Sequence, residues 1–230
     1  MSRIFLTGDT HGSLSFVRFQ KISRFIEKDD VLIIAGDFGF IWDSKDPIKL
    51  AWLNKTIPCK ILFIAGNHEN FDKLSTFPAI EEYGGEVRQI NKQIYQLLDG
   101  QMLKIFNQNI WVMGKARSTD IAYRTEGVDW WKQEEPTLCE IKKAEINFEE
   151  NLNLIHYVIT HEAPTVALPI LGLSSYYGYN DYFFPHWLSQ KYNLVNKSNR
   201  FKKWFFGHMH RDKIINDDLV GIYKDIVELK

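Results

Sequence analysis

Five short blocks of the chain end in side chains able to bind a metal ion. They are Asp9-Thr10-His11, Asp37 after Gly36, Asn67-His68 after Gly66, His161 after Thr160, and His208-Met209-His210 after Gly207. Together they offer carboxylates, an amide oxygen and imidazoles, with no thiolate. This donor mix suits Mn, Fe, Zn or Co better than a sulfur-loving ion. Two such cations held about 3.5–4 Å apart clamp a phosphate, acidify a bridging water and stabilise both attacking and leaving oxygens. The pair needs a shared carboxylate, and Asp37 is the natural candidate. Five of the seven histidines fall inside these blocks. His156 and His186 carry no such context and read as ordinary core or surface residues.

The blocks share one local grammar, which says what must position them. Arg3–Leu6, Val31–Ala35 and Ile61–Ala65 are short apolar runs, each followed by Gly and a metal-binding residue within four positions. Runs of this kind fit strands buried on both faces, in a sheet covered by helices. Between them lie two stretches of helical spacing. Ser13 to Lys28 places Leu14, Val17, Phe19, Ile22, Phe25 and Ile26 on one apolar stripe, and Pro47 to Ile57 carries a second. This predicts β-α-β-α-β with parallel strands. Past His68 an antiparallel section is expected from Glu86–Ile90, Gln93–Leu97, Met102–Phe106 and Ile110–Met113. A helix over Pro136–Leu152, a strand over Leu154–Ile159, a helix over Pro185–Leu194 and a strand over Lys203–Phe206 follow. Lys213–Asn216 and Val220–Val227 read as a closing hairpin. In an α/β sheet, ligands bind at the carboxyl ends of strands, so five strand ends would deliver these residues to one edge.

Composition bounds the rest. The chain has 230 residues, 45% of them hydrophobic, and a net charge of −1. A chain this long buries roughly 70% of its unfolded surface and needs no disulfide to fold. Its two cysteines, Cys59 and Cys139, are expected to be reduced thiols in a cytoplasmic protein. No apolar run approaches the ~18 residues of a membrane span. A near-zero net charge argues against general nucleic-acid binding. The basic positions Lys191, Lys197, Arg200, Lys202, Lys203, Arg211 and Lys213 and the acidic stretch from Glu126 to Glu150 read chiefly as solvated faces. Residues 1–230 are expected to form one domain.

The five blocks resemble the pattern of the calcineurin-like metallophosphoesterase superfamily: Asp-x-His, Gly-Asp, Gly-Asn-His-(Asp/Glu), His and Gly-His-x-His. The resemblance runs from residue 8 to residue 210. It implies a mixed α/β (in part α+β) fold, a two-layer β-sandwich flanked by helices with the metal site at the carboxyl ends of the strands. It also implies a role for each block. Asp9, His11 and His210 would bind one ion, Asn67, His161 and His208 the second, and Asp37 would bridge them. Mn is the foremost expectation for the two divalent ions, with Fe, Zn or Ni as alternatives. His68 would hydrogen-bond a phosphate oxygen and protonate the leaving alkoxide, while a metal-bridging hydroxide attacks phosphorus.

The opening Gly8-Asp9-Thr10-His11-Gly12 and Gly66-Asn67-His68-Glu69 look most like the serine/threonine phosphoprotein phosphatase branch. The second motif departs from that branch: Phe40 stands where an Asp would orient the catalytic imidazole, and Ile41 where an Arg would grip phosphate. Arg117 and Arg124 are the candidates to supply that charge, and Asp120 or Glu69 to orient His68. Trp131, in a polar setting, and Tyr177, in the aromatic stretch 176–184, are candidate substrate contacts, because aromatic rings stack on nucleobases. The expected partner is a phosphorylated substrate. A phosphomonoesterase is favoured by the two opening motifs. A phosphodiesterase, nucleotide pyrophosphatase or nuclease is the alternative, and a metal-binding module without turnover a remote one.

Overall fold

The computed structural model describes residues 2–173 and 182–230. In chain order its strands are β1 (Ile4–Thr7), β2 (Val31–Ile34), β3 (Lys60–Ile64), β4 (Ala79–Glu82), β5 (Gly85–Gln89), β6 (Ile94–Leu97), β7 (Gln101–Ile105), β8 (Gln108–Met113), β9 (Tyr157–Thr160), β10 (Lys203–Phe206), β11 (Lys213–Ile214), β12 (Leu219–Gly221) and β13 (Ile226–Leu229). The helices are α1 (Phe16–Ile22), α2 (Asp46–Thr56), α3 (Phe71–Ser75), α4 (Leu138–Asn151) and α5 (Phe183–Val195). One sheet runs β13-β1-β2-β3-β6-β5-β4 and the other β11-β12-β10-β9-β8-β7. Both are mixed.

Alternation along the buried strands explains the layering, since successive side chains point to opposite faces. Leu6, Ile33, Ile64 and Leu97 of the first sheet meet Leu103, Val112, Ile159 and Phe205 of the second in the central core. The odd partners face outward. Phe5, Leu32, Ile34 and Phe63 pack under Phe19, Ile22 and Leu53 of α1 and α2. Trp111, Val158, Trp204 and Phe206 pack under Ile141 and Phe148 of α4 and Trp187 and Leu188 of α5. The expected β-sandwich flanked by helices is thus present.

The parallel β1-β2-β3 core follows the sequence reading, but several details differ. Pairing of β3 with β6 and of β8 with β9 is parallel, so the section past His68 is not wholly antiparallel. The expected closing hairpin forms only in its first part, where Lys213 and Ile214 pair antiparallel with Gly221 and Val220. Strand β12 runs parallel to β10, and β13 crosses to the other sheet, antiparallel to β1. Leu14, Val17 and Phe25 are exposed, against expectation. The reason is that α1 is only seven residues long. Its first turn is a 3₁₀ segment, Gly12–Ser15, which breaks the stripe's period. Helix α4 begins at a capping box, with the Thr137 hydroxyl accepting from the Glu140 amide and the Glu140 carboxylate accepting from the Thr137 amide. Its acidic face and the basic C-terminal region join through buried Lys191, which pairs with Glu145 and Glu149. Cys59 is buried and Cys139 exposed, and neither is bridged.

Candidate metal centre

Parallel register brings the strand ends level. Thr7 pairs with Ile34 and Ile34 with Phe63, while Thr160 pairs with Phe206. The chain turns sharply after each strand, and the ligand candidates take up that turn. His11, Asp37, His208 and His210 all have φ between 47° and 61°. Left-handed backbone at a non-glycine residue costs of order 1–3 kcal/mol and persists where surrounding structure imposes it. Two glycines make room. A Cβ on Gly36, itself at φ 100°, would lie 1.9 Å from His161 Nδ1, and one on Gly66 would lie 2.0 Å from Asp37 Oδ1.

Asp9, His11, Asp37 and His210 bring one ligand atom each within 4.8 Å of one another. The Oδ2 atoms of Asp9 and Asp37 are buried and accept no hydrogen bond. His210 Nε2 lies 3.1 Å from Asp9 Oδ2, in contact but out of hydrogen-bond alignment. His11 Nε2 lies 3.0 Å from His210 Nε2. Tyr223 stacks on the His210 ring with centroids 4.5 Å apart and fixes its plane. Orphaned carboxylate oxygens beside converging imidazoles are the arrangement a divalent cation satisfies.

A second convergence lies beside the first. His161 Nδ1 sits 2.8 Å from the Ala35 carbonyl, which can only accept, so Nδ1 carries the proton and Nε2 a lone pair. That lone pair faces Asn67 Oδ1 at 3.1 Å and Asp37 Oδ1 at 3.4 Å. The amide orientation of Asn67 is itself set. Its Nδ2 donates to Ser118 Oγ at 3.0 Å, and the Ser118 hydroxyl donates to Glu134 Oε2 at 2.5 Å. Three acceptors with no proton between them are left pointing at one spot. The His208 ring lies alongside, its centroid 5.1 Å from that of His161. These residues fit a cation here as well.

The electrostatics follow from burial and crowding. Burial pushes His11, His68 and His208 below the ordinary histidine value. Asp9 pushes His210 above it. Burial would raise the Asp37 carboxyl, but positive charge on the His161, His68 and His11 rings, when they are protonated, and the hydrogen bond from the His68 amide act against it and lower it. Burial, with Glu69 close to the Asp37 charge, pushes the Glu69 carboxyl up to about 8.

Asp37, Asn67, His68, Asp120, His208 and His210 line a cavity of about 220 Å³. A larger groove of about 670 Å³, between β13 and the β11–β12 edge, contains none of the ligand candidates. The candidate ligands therefore gather at the smaller space.

The predicted substrate contacts fare differently from the ligand set. Arg117 is held by Glu135 through two hydrogen bonds of 2.9 Å and lies over the Tyr182 ring. Arg124 is held by Asp120 and touches His68 Nδ1 at 3.1 Å. Trp131 is corrected: it is buried, edge-on to Trp42, and its indole N–H donates to Asp72, so it presents no stacking face. Tyr177 lies outside the described residues. Phe183 and Phe184, at the end of that aromatic stretch, open α5, and Phe184 stacks on Trp187 in the core. Glu69 does not touch His68; its carboxylate accepts from the Phe38 and Gly39 amides and braces the loop carrying Asp37. Ser118, Glu134 and Tyr223 were missed. Ser118 sits between the two positions singled out as Arg117 and Asp120, but a lone hydroxyl gives no spacing signal.

Comparison with known proteins adds the family. No curated protein matches the chain. Among solved structures, "the Protein of Unknown Function AQ665 from Aquifex aeolicus" is similar at 15% identity, covering 71% of this chain and 80% of that one with a TM-score of 0.32. That likeness is too slight to carry an argument. The match over residues 2–212 to the model of the calcineurin-like phosphoesterases takes in every ligand-bearing strand end described above, and the chain belongs to that family.

Proposed function

We propose that this protein is a phosphoric ester hydrolase working with two divalent metal ions. The observation that carries the reading is the facing of Asn67 Oδ1, His161 Nε2 and Asp37 Oδ1 beside the separate Asp9, His11, Asp37 and His210 cluster. Asp9, His11 and His210 would hold one ion, Asn67, His161 and His208 the other, and Asp37 both. Such ions, when bound, neutralise phosphate charge and acidify a coordinated water. Mn²⁺ is the first ion to supply, with Fe, Zn or Ni next, since these ligands accept several and availability decides.

The chain's own residues do the rest. His161 keeps its Nε2 lone pair toward the site because its one N–H, on Nδ1, donates to the Ala35 carbonyl. The His68 amide donates to Asp37 Oδ1 at 2.8 Å and orients that carboxylate. The His68 ring borders the cavity and offers a hydrogen bond to a substrate oxygen. The two opening motifs favour a phosphomonoester. A phosphodiester or phosphoanhydride is the second reading, supported by Arg117 and Arg124 being engaged in ion pairs instead of open to a dianionic phosphate.

The test is a paired rate measurement with added Mn²⁺ on p-nitrophenyl phosphate and bis-p-nitrophenyl phosphate, with Asp37→Asn as the blank. Metal-dependent turnover that vanishes in Asp37→Asn is expected. Equal turnover by the variant, or two bound ions with no hydrolysis of either compound, would overturn the assignment.

A further inference from the structure

The side chain that faces His68 Nδ1 is an arginine, at a position where a carboxylate would be the ordinary choice. Arg124 Nη1 lies 3.1 Å from His68 Nδ1. The guanidinium is fixed from three sides. Its Nε and Nη2 donate to the two oxygens of Asp120 at 2.7 and 2.8 Å, and Nη1 donates to the Asp129 carbonyl at 2.8 Å. Asp129 in turn accepts from the Thr125 amide at 2.6 Å, which ties the turn together. Asp37 accepts from the His68 backbone amide, not from the ring, and the carboxylate of Asp120 meets the His68 ring through Arg124. Glu69, the other carboxylate next in sequence, is turned away to the Phe38 and Gly39 amides.

An arginine has five N–H donors and no acceptor. A nitrogen that faces it within hydrogen-bond distance must accept. His68 Nδ1 therefore presents its lone pair to Arg124, and the single ring N–H is on Nε2. A carboxylate partner would do the reverse. It would draw an N–H onto Nδ1 and favour a ring with a second proton to release.

Resting on the phosphoesterase reading, we infer that Arg124 is a positioning residue that makes His68 a hydrogen-bond donor, and that the site acts on substrates whose leaving group departs as a stable anion. Phosphoanhydrides and aryl phosphates belong to that class. Alkyl phosphates such as phosphoserine do not. In the step, a water oxygen forms the new P–O bond and its proton goes to solvent. The bond from phosphorus to the leaving oxygen breaks, and its electron pair leaves on that oxygen. The Nε2–H of His68 stabilises the phosphoryl group by a hydrogen bond and stays on the ring. On this inference His68 does not protonate a leaving alkoxide.

Two measurements test the inference. The first is the ¹⁵N spectrum of the His68 ring in Zn²⁺-loaded, ¹⁵N-histidine-labelled protein, assigned by His68→Ala. A ring protonated on Nε2 alone is expected, shifting toward a tautomer mixture in Arg124→Met and returning in Arg124→Lys. An Nδ1–H ring, or a spectrum indifferent to Arg124, overturns the positioning role. The second is kcat/KM across a series of aryl and alkyl phosphates with Mn²⁺. A steep fall with rising leaving-group pKa is expected, with His68→Ala lowering every aryl substrate by a similar factor. Arg124→Met should lower them by about 10²-fold through misplacement of the ring. If His68 instead delivers the proton, its removal costs about 10²–10⁴-fold on poor leaving groups and little on good ones, and the substrate class is wrong. Loss of all hydrolysis with every substrate would strike the phosphoesterase reading, and the ring spectrum would still decide the role of Arg124.

Discussion

The chain Glu134–Ser118–Asn67 bears on one of the two proposed metal sites and not on the other. Asn67 Oδ1 faces His161 Nε2 only because Ser118 Oγ takes the opposite end of the amide, and Ser118 does so because its own proton goes to Glu134. Replacing Ser118 by Ala removes the acceptor and strands a buried Nδ2. The amide then gains by rotating half a turn, which puts Nδ2 within reach of the His161 Nε2 lone pair. That new hydrogen bond is worth about 0.5–1.5 kcal/mol in the metal-free protein. It also presents N–H where an ion needs oxygen. Breaking it and turning the amide back opposes binding, and loss of such an outer partner lowers metal affinity by about 10–100-fold. The assay is calorimetric titration of Mn²⁺ into chelator-stripped protein. Two sites are expected in the parent, with one weakened by that factor in Ser118→Ala and the Asp9, His11 and His210 site unchanged. Ser118→Thr, which keeps the hydroxyl, should retain both. Parent-like affinity at both sites in Ser118→Ala, or equal weakening of both, would refute the reasoning.

Three further outcomes are expected. Gly36→Ala places a Cβ 1.9 Å from His161 Nδ1 at φ 100°. Overpacking of about 1–3 kcal/mol, at about 2–4 °C per kcal/mol for a chain this size, should lower Tm by about 2–12 °C before any cost of backbone strain, and an unchanged Tm would contradict it. Asp30 is pushed up by burial, but hydrogen bonds from the Arg3 side chain and from the Glu27 and Arg3 amides outweigh that and hold it below its ordinary value. A depressed carboxyl stabilises the fold above its unfolded pKa, and that stability is lost as pH falls through its folded pKa. Asp30→Asn should therefore be less stable at neutral pH and show a shallower acid limb in denaturant titrations; parallel curves would refute it. Burial pushes the Cys59 thiol up to about 12, whereas Cys139 is exposed. A thiol reagent at mildly alkaline pH should modify one cysteine quickly in the native protein and two in denaturant, and rapid modification of both without denaturant would contradict the burial.

The candidate ligand residues of the proposed site were legible because metal chemistry restricts both residue type and place. A cation at the carboxyl end of a sheet needs carboxylate, amide or imidazole within a few positions of a buried apolar run, and Asp9, Asp37, Asn67, His161 and His208 each meet that condition. Strand β10 was read at its observed bounds, and β1, β2 and β3 within a residue or so, since runs such as Val31–Ile34 leave no polar side chain for a solvent face. Strand β4, whose pattern is mostly exposed, left no such mark.

Side chains brought together from distant segments were not legible. Trp131 looked like a surface ring because its neighbours in sequence are polar, yet Trp42 and Asp72 cover it. Lys191 read as part of a solvated basic face, yet packing of α5 against α4 buries it between two glutamates. Arg124 was noticed as a charge for phosphate, and only the fold shows it turned to His68 by Asp120. Residue types and local spacing are properties of the chain and fixed which atoms could reach a metal. Hydrogen-bond direction depends on which donor meets which acceptor across 51 residues from Asn67 to Ser118, or 56 from His68 to Arg124, and only the packed sheets determine that.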